Sequence, residues 1–180
     1  VLCAVVAVAL CCGCSRNATV KNASADDGTS AQEHLLAALE AAEQRDFKTA
    51  LSEFQAADAR QSTLDSKLGI AHIYFSLRQY DEAVLDYRAV LSMKDLSEGY
   101  RLALKAEIAR IEKSGDNPTG ASLASRWLRS KLSQKQAELA VEEKRYAEAA
   151  AAFDRAFQYS SDPELLFESA LAWSLAKNWD

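Results

Sequence analysis

From residue 31 onward, apolar side chains return every three or four positions, the spacing that gathers them on one face of an α-helix. Gln32 to Arg45 carries Leu35, Leu36, Leu39 and Ala42 on one stripe, and Phe47 to Ala59 carries Ala50, Leu51, Phe54 and Ala57. The break between them, Gln44 to Asp46, is short and polar, which predicts two antiparallel neighbours. The same pairing returns as Ser66 to Leu77 with Asp81 to Met93, and as a long helix ending near Lys144 with Ala147 to Tyr159. A last helix is predicted over Leu165 to Lys177, with Asp162 as its cap and Pro163 in its first turn. The middle is less regular. Glu98 to Lys113 reads as one helix whose apolar residues include Leu102, Leu104, Ile108 and Ile111. Gly and Pro between Ser114 and Gly120 then break the pattern. It resumes from Ala121 to Leu132, through Trp127 and Leu128, in a register that can run on into the next helix.

The stripes also share a phrase. An aromatic, an alanine three later and an aromatic four after that occur as Phe47, Ala50 and Phe54, as Tyr80, Ala83 and Tyr87, and as Tyr146, Ala149 and Phe153. The alanines stand 33 and then 66 residues apart, and 66 is two steps of 33. A fixed period of this size is the mark of stacked helical hairpins.

These residues resemble the tetratricopeptide repeat, a helix–turn–helix unit. In that family's frame the eighth position is Ala38, Ala71, Ala137 and Ala170, and the twentieth is Ala50, Ala83 and Ala149. The seventeenth is Phe47, Tyr80, Tyr146 and Trp179, and the twenty-fourth is Phe54, Tyr87 and Phe153. The family's tryptophan at the fourth position is replaced by His34, Lys67, Ser133 and Leu166. The resemblance covers Ala31 to Leu96 and Lys131 to Asp180. It implies an all-α fold of antiparallel hairpins stacked as an α-solenoid, with alanines letting paired helices approach and aromatics filling the wedge between hairpins. The expected organisation is two hairpins over 31–97, an irregular or decayed repeat over 98–130, and a hairpin with the first helix of a further repeat over 131–180. The chain starts at Val1 and stops at Asp180 within a helical pattern, so it reads as truncated at both ends.

Composition agrees with helix: 49% of residues are hydrophobic, against 6 Gly and 2 Pro. All four cysteines, Cys3, Cys11, Cys12 and Cys14, lie at the very start, so no intrachain disulfide staples the body. Val1 to Cys14 is apolar and uncharged. As a helix it would reach roughly 21 Å, short of a hydrocarbon core of roughly 30 Å. It therefore reads as the apolar region of an export signal. Its end, Cys11 to Ser15, resembles a bacterial lipobox, with Gly13 before Cys14. The resemblance implies lipidation of Cys14, with Cys12 as the alternative acceptor. A plainly cleaved signal and a retained anchor helix are the other readings. Ser15 to Ser30 is polar with one large aliphatic residue, Val20, and is expected to be a disordered, flexible linker.

Charge excludes little but helps. A net charge of −5 with both signs interspersed carries no basic footprint for nucleic acid. No phosphate-binding glycine loop, HExxH or serine-nucleophile motif is present. The two histidines, His34 and His72, fall at unrelated positions, and carboxylates such as Glu142 and Glu143 read as solvated charge. The expectation is a chain without catalytic residues, metal, cofactor or small-molecule substrate, whose partner is another protein or peptide segment. The repeat resemblance implies a groove lined by the first helix of each hairpin: here Leu35, Leu39, Ala42, Leu68, His72, Phe75, Glu138 and Glu142, although Leu35, Leu39, Leu68 and Phe75 read equally as core residues that cover one another. The resulting reading is a non-catalytic adaptor, lipid-anchored in the bacterial cell envelope and facing the periplasm from the outer membrane. A structural subunit of an envelope or secretion complex, and a regulatory module of a protein continuing past residue 180, are the alternatives.

Overall fold

The computed structural model describes residues 29–114 and 122–177. Over these residues the protein is all-α. Its helices are α1 (Ala31–Glu43), α2 (Phe47–Arg60), α3 (Leu64–Ser76), α4 (Tyr80–Leu91), α5 (Glu98–Ser114), α6 (Leu123–Glu142), α7 (Tyr146–Ser160) and α8 (Pro163–Lys177). They pack mostly as sequential antiparallel neighbours.

Most helix starts are chemically marked. Ser30 closes a capping box on α1: its hydroxyl accepts from the Glu33 amide at 3.2 Å, and the Glu33 carboxylate accepts from the Ser30 amide at 2.6 Å. Asp46, Thr63 and Ser122 accept from backbone amides at the starts of α2, α3 and α6. Asp162 accepts from the Glu164 amide at 3.1 Å ahead of α8, and Pro163 takes the first helical position.

The hairpin turns close in one way. Arg45, Arg78 and Lys144 all have φ near +60°, in the left-handed region. Beside them, Asp46 N donates to Ala41 O, Gln79 N to Tyr74 O, and Arg145 N to Ala140 O. This is the helix-ending motif that usually carries glycine, here built on basic residues.

Alanines set the helix spacing. Ala38, Ala50, Ala71, Ala83, Ala137 and Ala149 are wholly buried, and Phe54, Tyr87 and Phe153 are buried against them. The aromatics that open α2, α4 and α7, namely Phe47, Tyr80 and Tyr146, are half-buried. Ala170 departs from its expected packing role. It is exposed on α8, because among the described residues no helix covers that face. Trp179 lies outside the described residues. In α5, Leu104, Ile108 and Ile111 are buried, whereas Leu102 points to solvent.

Two cores result. The larger joins α1 to α5 with the first half of α6, through Leu123 to Leu132. The smaller joins Ala137 and Ala140 of α6 to α7 and α8. The 20-residue α6 therefore belongs to both, and Ser130 ties it to α7 by donating to the Ala156 carbonyl at 3.0 Å.

Gly69 of α3 packs directly against the Phe54 ring of α2. A Cβ there would sit inside the Phe54 ring edge, 2.6 Å from Cζ, and Phe54 is completely buried. Gly69→Ala is expected to cost about 1–3 kcal/mol through overpacking. Gly99→Ala in α5 meets nothing within 4 Å and is expected to stabilise by about 0.5–1 kcal/mol. Urea denaturation of the two variants gives opposite signs if this packing is right.

Candidate functional site

The residues expected to line an open groove are gathered together, but they are covered. Leu35, Leu39 and Ala42 of α1 and Leu68, His72 and Phe75 of α3 are all buried. What covers them is the chain itself. α6 packs across both α1 and α3, bringing Trp127, Leu128 and Leu132 into the same core. The Trp127 ring lies 5.0 Å from His72 and 6.5 Å from Phe54, centroid to centroid. Lys131, one turn on, reaches Asp65 of α3 at 3.1 Å. Phe75 is shielded at the other end by Tyr80, edge-on at 5.4 Å, and by the Arg110 guanidinium at 5.8 Å. Nothing in the α1–α3 sequence announces this. The signal lay in Trp127 and Leu128, apolar positions in a helix whose partners are far away in the chain.

His72 sits at the centre of this arrangement with no exposure. Its Nδ1 is 2.7 Å from the Tyr87 hydroxyl and its Nε2 is 2.9 Å from the Tyr100 hydroxyl. A neutral imidazole suits both contacts, accepting from one phenol and donating to the other. Burial pushes its pKa down to about 3, and burial also raises the Tyr87 and Tyr100 phenols. The three side chains lock α3 to α4 and α5 as neutral groups. The arrangement offers no titrating base near neutrality.

The other expected lining residues remain open. Glu142 is exposed, and Glu138 is half-buried and held by Lys135 at 2.7 Å. Beyond them lies an uncovered apolar face. On α8, Leu165, Ser169 and Ala172 face inward, with Ser169 donating to Asp154 of α7 at 2.6 Å. Leu166 (45% exposed), Phe167 (68%), Leu171 (47%) and Trp173 (42%) face outward. Positions 166, 170 and 173 and positions 167 and 171 adjoin at helical spacing, so these side chains form one continuous strip.

Comparison with known proteins identifies no family. No family model, curated protein or solved structure matches the chain.

Among the described residues no cluster of His, Cys, Asp or Glu is arranged to hold a metal ion. No helix among them is long and apolar enough to cross a membrane. Cys14 and Cys12, the expected lipid acceptors, lie outside the described residues, as do the apolar start and most of the linker.

Proposed function

We propose that this protein is a non-catalytic interaction scaffold: a divergent tetratricopeptide-type array held at the bacterial cell envelope by a lipid on Cys14. The observation that carries the reading is the outward strip of α8. Four large apolar side chains exposed on adjacent helical positions are unusual unless something docks there. The repeated hairpins suggest what fits. In α1–α2, α3–α4 and α6–α7, the buried stripe of one helix is met by alanine and an aromatic from the next, as with Ala149 and Phe153. A partner helix presenting small residues and an aromatic at i and i+4 matches the α8 strip in the same manner. The groove of α1 and α3, filled by α6, does not serve as the docking surface in this reading. The lipobox-like residues Gly13 and Cys14 support the anchor, and Ser15 resembles outer-membrane sorting.

The test compares capture from envelope extracts by the wild-type protein and by Phe167→Asp/Leu171→Asp. Both side chains are exposed, so helicity by circular dichroism should survive. A partner retained by the wild type and lost by the variant is the expected result. An identical bound set removes α8 as the docking face. Membrane retention that persists when both Cys14 and Cys12 are replaced by Ala removes the lipid anchor.

A further inference from the structure

A second concavity, lined by no residue of α8, lies where α6 crosses α1 and meets α7. Its volume is about 410 Å³, within the range of small-molecule sites. One face of α6 forms its floor and wall, because Ser125, Leu128, Arg129, Leu132, Ser133 and Gln136 recur at helical spacing. The floor is completed by Leu39, Ala42 and Phe47, with Ser76 beside them.

Its charge is uneven. Three arginines line it from three different elements: Arg45 from the α1–α2 turn, Arg129 from α6 and Arg155 from α7. One carboxylate, Glu43, lines it with them. Elsewhere Arg88, Arg101, Arg110 and Arg145 each reach a carboxylate within 3.4 Å. Among the described residues Arg45, Arg129 and Arg155 form no ion pair. Arg129 instead lies over the Tyr159 ring, 5.8 Å from its centroid, and Tyr159 is itself part of the lining. Arg45 is held by its backbone, since its left-handed φ of 63° and the amide bonds of the turn fix where the side chain departs. A cationic concavity on a chain of net charge −5 concentrates positive potential in one place.

We propose that this cleft binds a small organic anion: a carboxylate or phosphate on a short hydrocarbon stem. The stem lies against the partly exposed Phe47 and Tyr159 rings, with Leu39, Leu128 and Leu132 buried beneath, and the head meets Arg45, Arg129 and Arg155. Guanidinium forks pair with both carboxylates and phosphates, so the head group is defined by charge.

Isothermal titration with the protein tests this, using octanoate and octyl phosphate as probes and inorganic phosphate and octyltrimethylammonium as controls. The expected result is a Kd of about 0.1–1 mM for at least one octyl anion, the tighter naming the head group. Inorganic phosphate should bind at least about tenfold more weakly, for want of a stem, and the octyl cation should not bind. Arg129→Gln/Arg155→Gln should weaken the anion at least about tenfold with unchanged circular dichroism, because both side chains are exposed. Phe167→Asp should leave the anion affinity intact, which separates this site from the α8 face. Equal binding of the octyl cation, an unaffected arginine variant, or no binding by either anion below about 10 mM overturns the proposal.

Discussion

Lowering the pH from 6.5 toward 3 is expected to destabilise the fold by about 1.4 kcal/mol per pH unit through His72 alone. The sign follows from the buried ring. Its folded pKa is pushed down to about 3 by burial, while the unfolded chain keeps the ordinary value of 6.5. Above 6.5 both states carry a neutral ring, and His72 contributes no pH dependence. Below 6.5 the unfolded state takes up a proton that the native state refuses, so each step down in pH favours unfolding. At pH 5 the loss is roughly 2 kcal/mol, and at pH 4 roughly 3 kcal/mol.

Other groups titrate in part of this window. Asp86 has its pKa raised by burial and works in the opposite sense, and Asp46 has its own lowered by bonds to Thr49. Both are common to wild type and variant, so the informative quantity is a difference. His72→Gln keeps a donor and an acceptor for the Tyr87 and Tyr100 hydroxyls but does not titrate. Urea midpoints of the two proteins between pH 7 and 4 should converge as the pH falls, by the equivalent of one proton. Parallel curves would show that His72 is not held neutral in the fold.

Much of the architecture was written in local sequence. The 3.6-residue period, the polar turns and the capping residues placed the helices, with ends within two residues of those found. Local rules suffice there because a helix satisfies its backbone within its own span. The failures share a different cause. That α6 lies across α1 and α3 depends on Trp127, Leu128 and Leu132 meeting side chains distant in the chain, and periodicity records a buried face without naming what buries it. For the same reason the pattern of Leu35, Leu39, Leu68 and Phe75 suits a groove lining as well as a core, and these residues prove to be interior, as does His72. Ala170, a packing position in the repeat frame, is exposed among the described residues. Turn chemistry was missed too: Arg45, Arg78 and Lys144 occupy left-handed positions where glycine is the usual signal. The arginine-lined cleft had no motif at all, since Arg45, Arg129 and Arg155 belong to separate elements and meet only in three dimensions.

Trp127→Ala tests the packing that overturned the open groove. Trp127 is 7% exposed, and its ring is wedged between Phe54 of α2 and His72 of α3. Truncation removes the aromatic contacts and leaves a cavity beneath α6 that the rigid neighbours cannot fill, because Phe54 is already pressed against Gly69. The expected cost is about 3–5 kcal/mol, or a fall in melting temperature of roughly 6–20 °C for a domain of this size. Trp173→Ala is the matched comparison: the same residue type, on the outward strip of α8 and 42% exposed. Its expected cost is about 1 kcal/mol or less. The gap between the two matters more than either value. If α6 seals α1 and α3, Trp127 must be several times the more costly loss, and thermal unfolding followed by circular dichroism will show it. Equal costs would mean that α6 does not seal the α1–α3 face, and the groove read from the repeat pattern would be available to a partner after all.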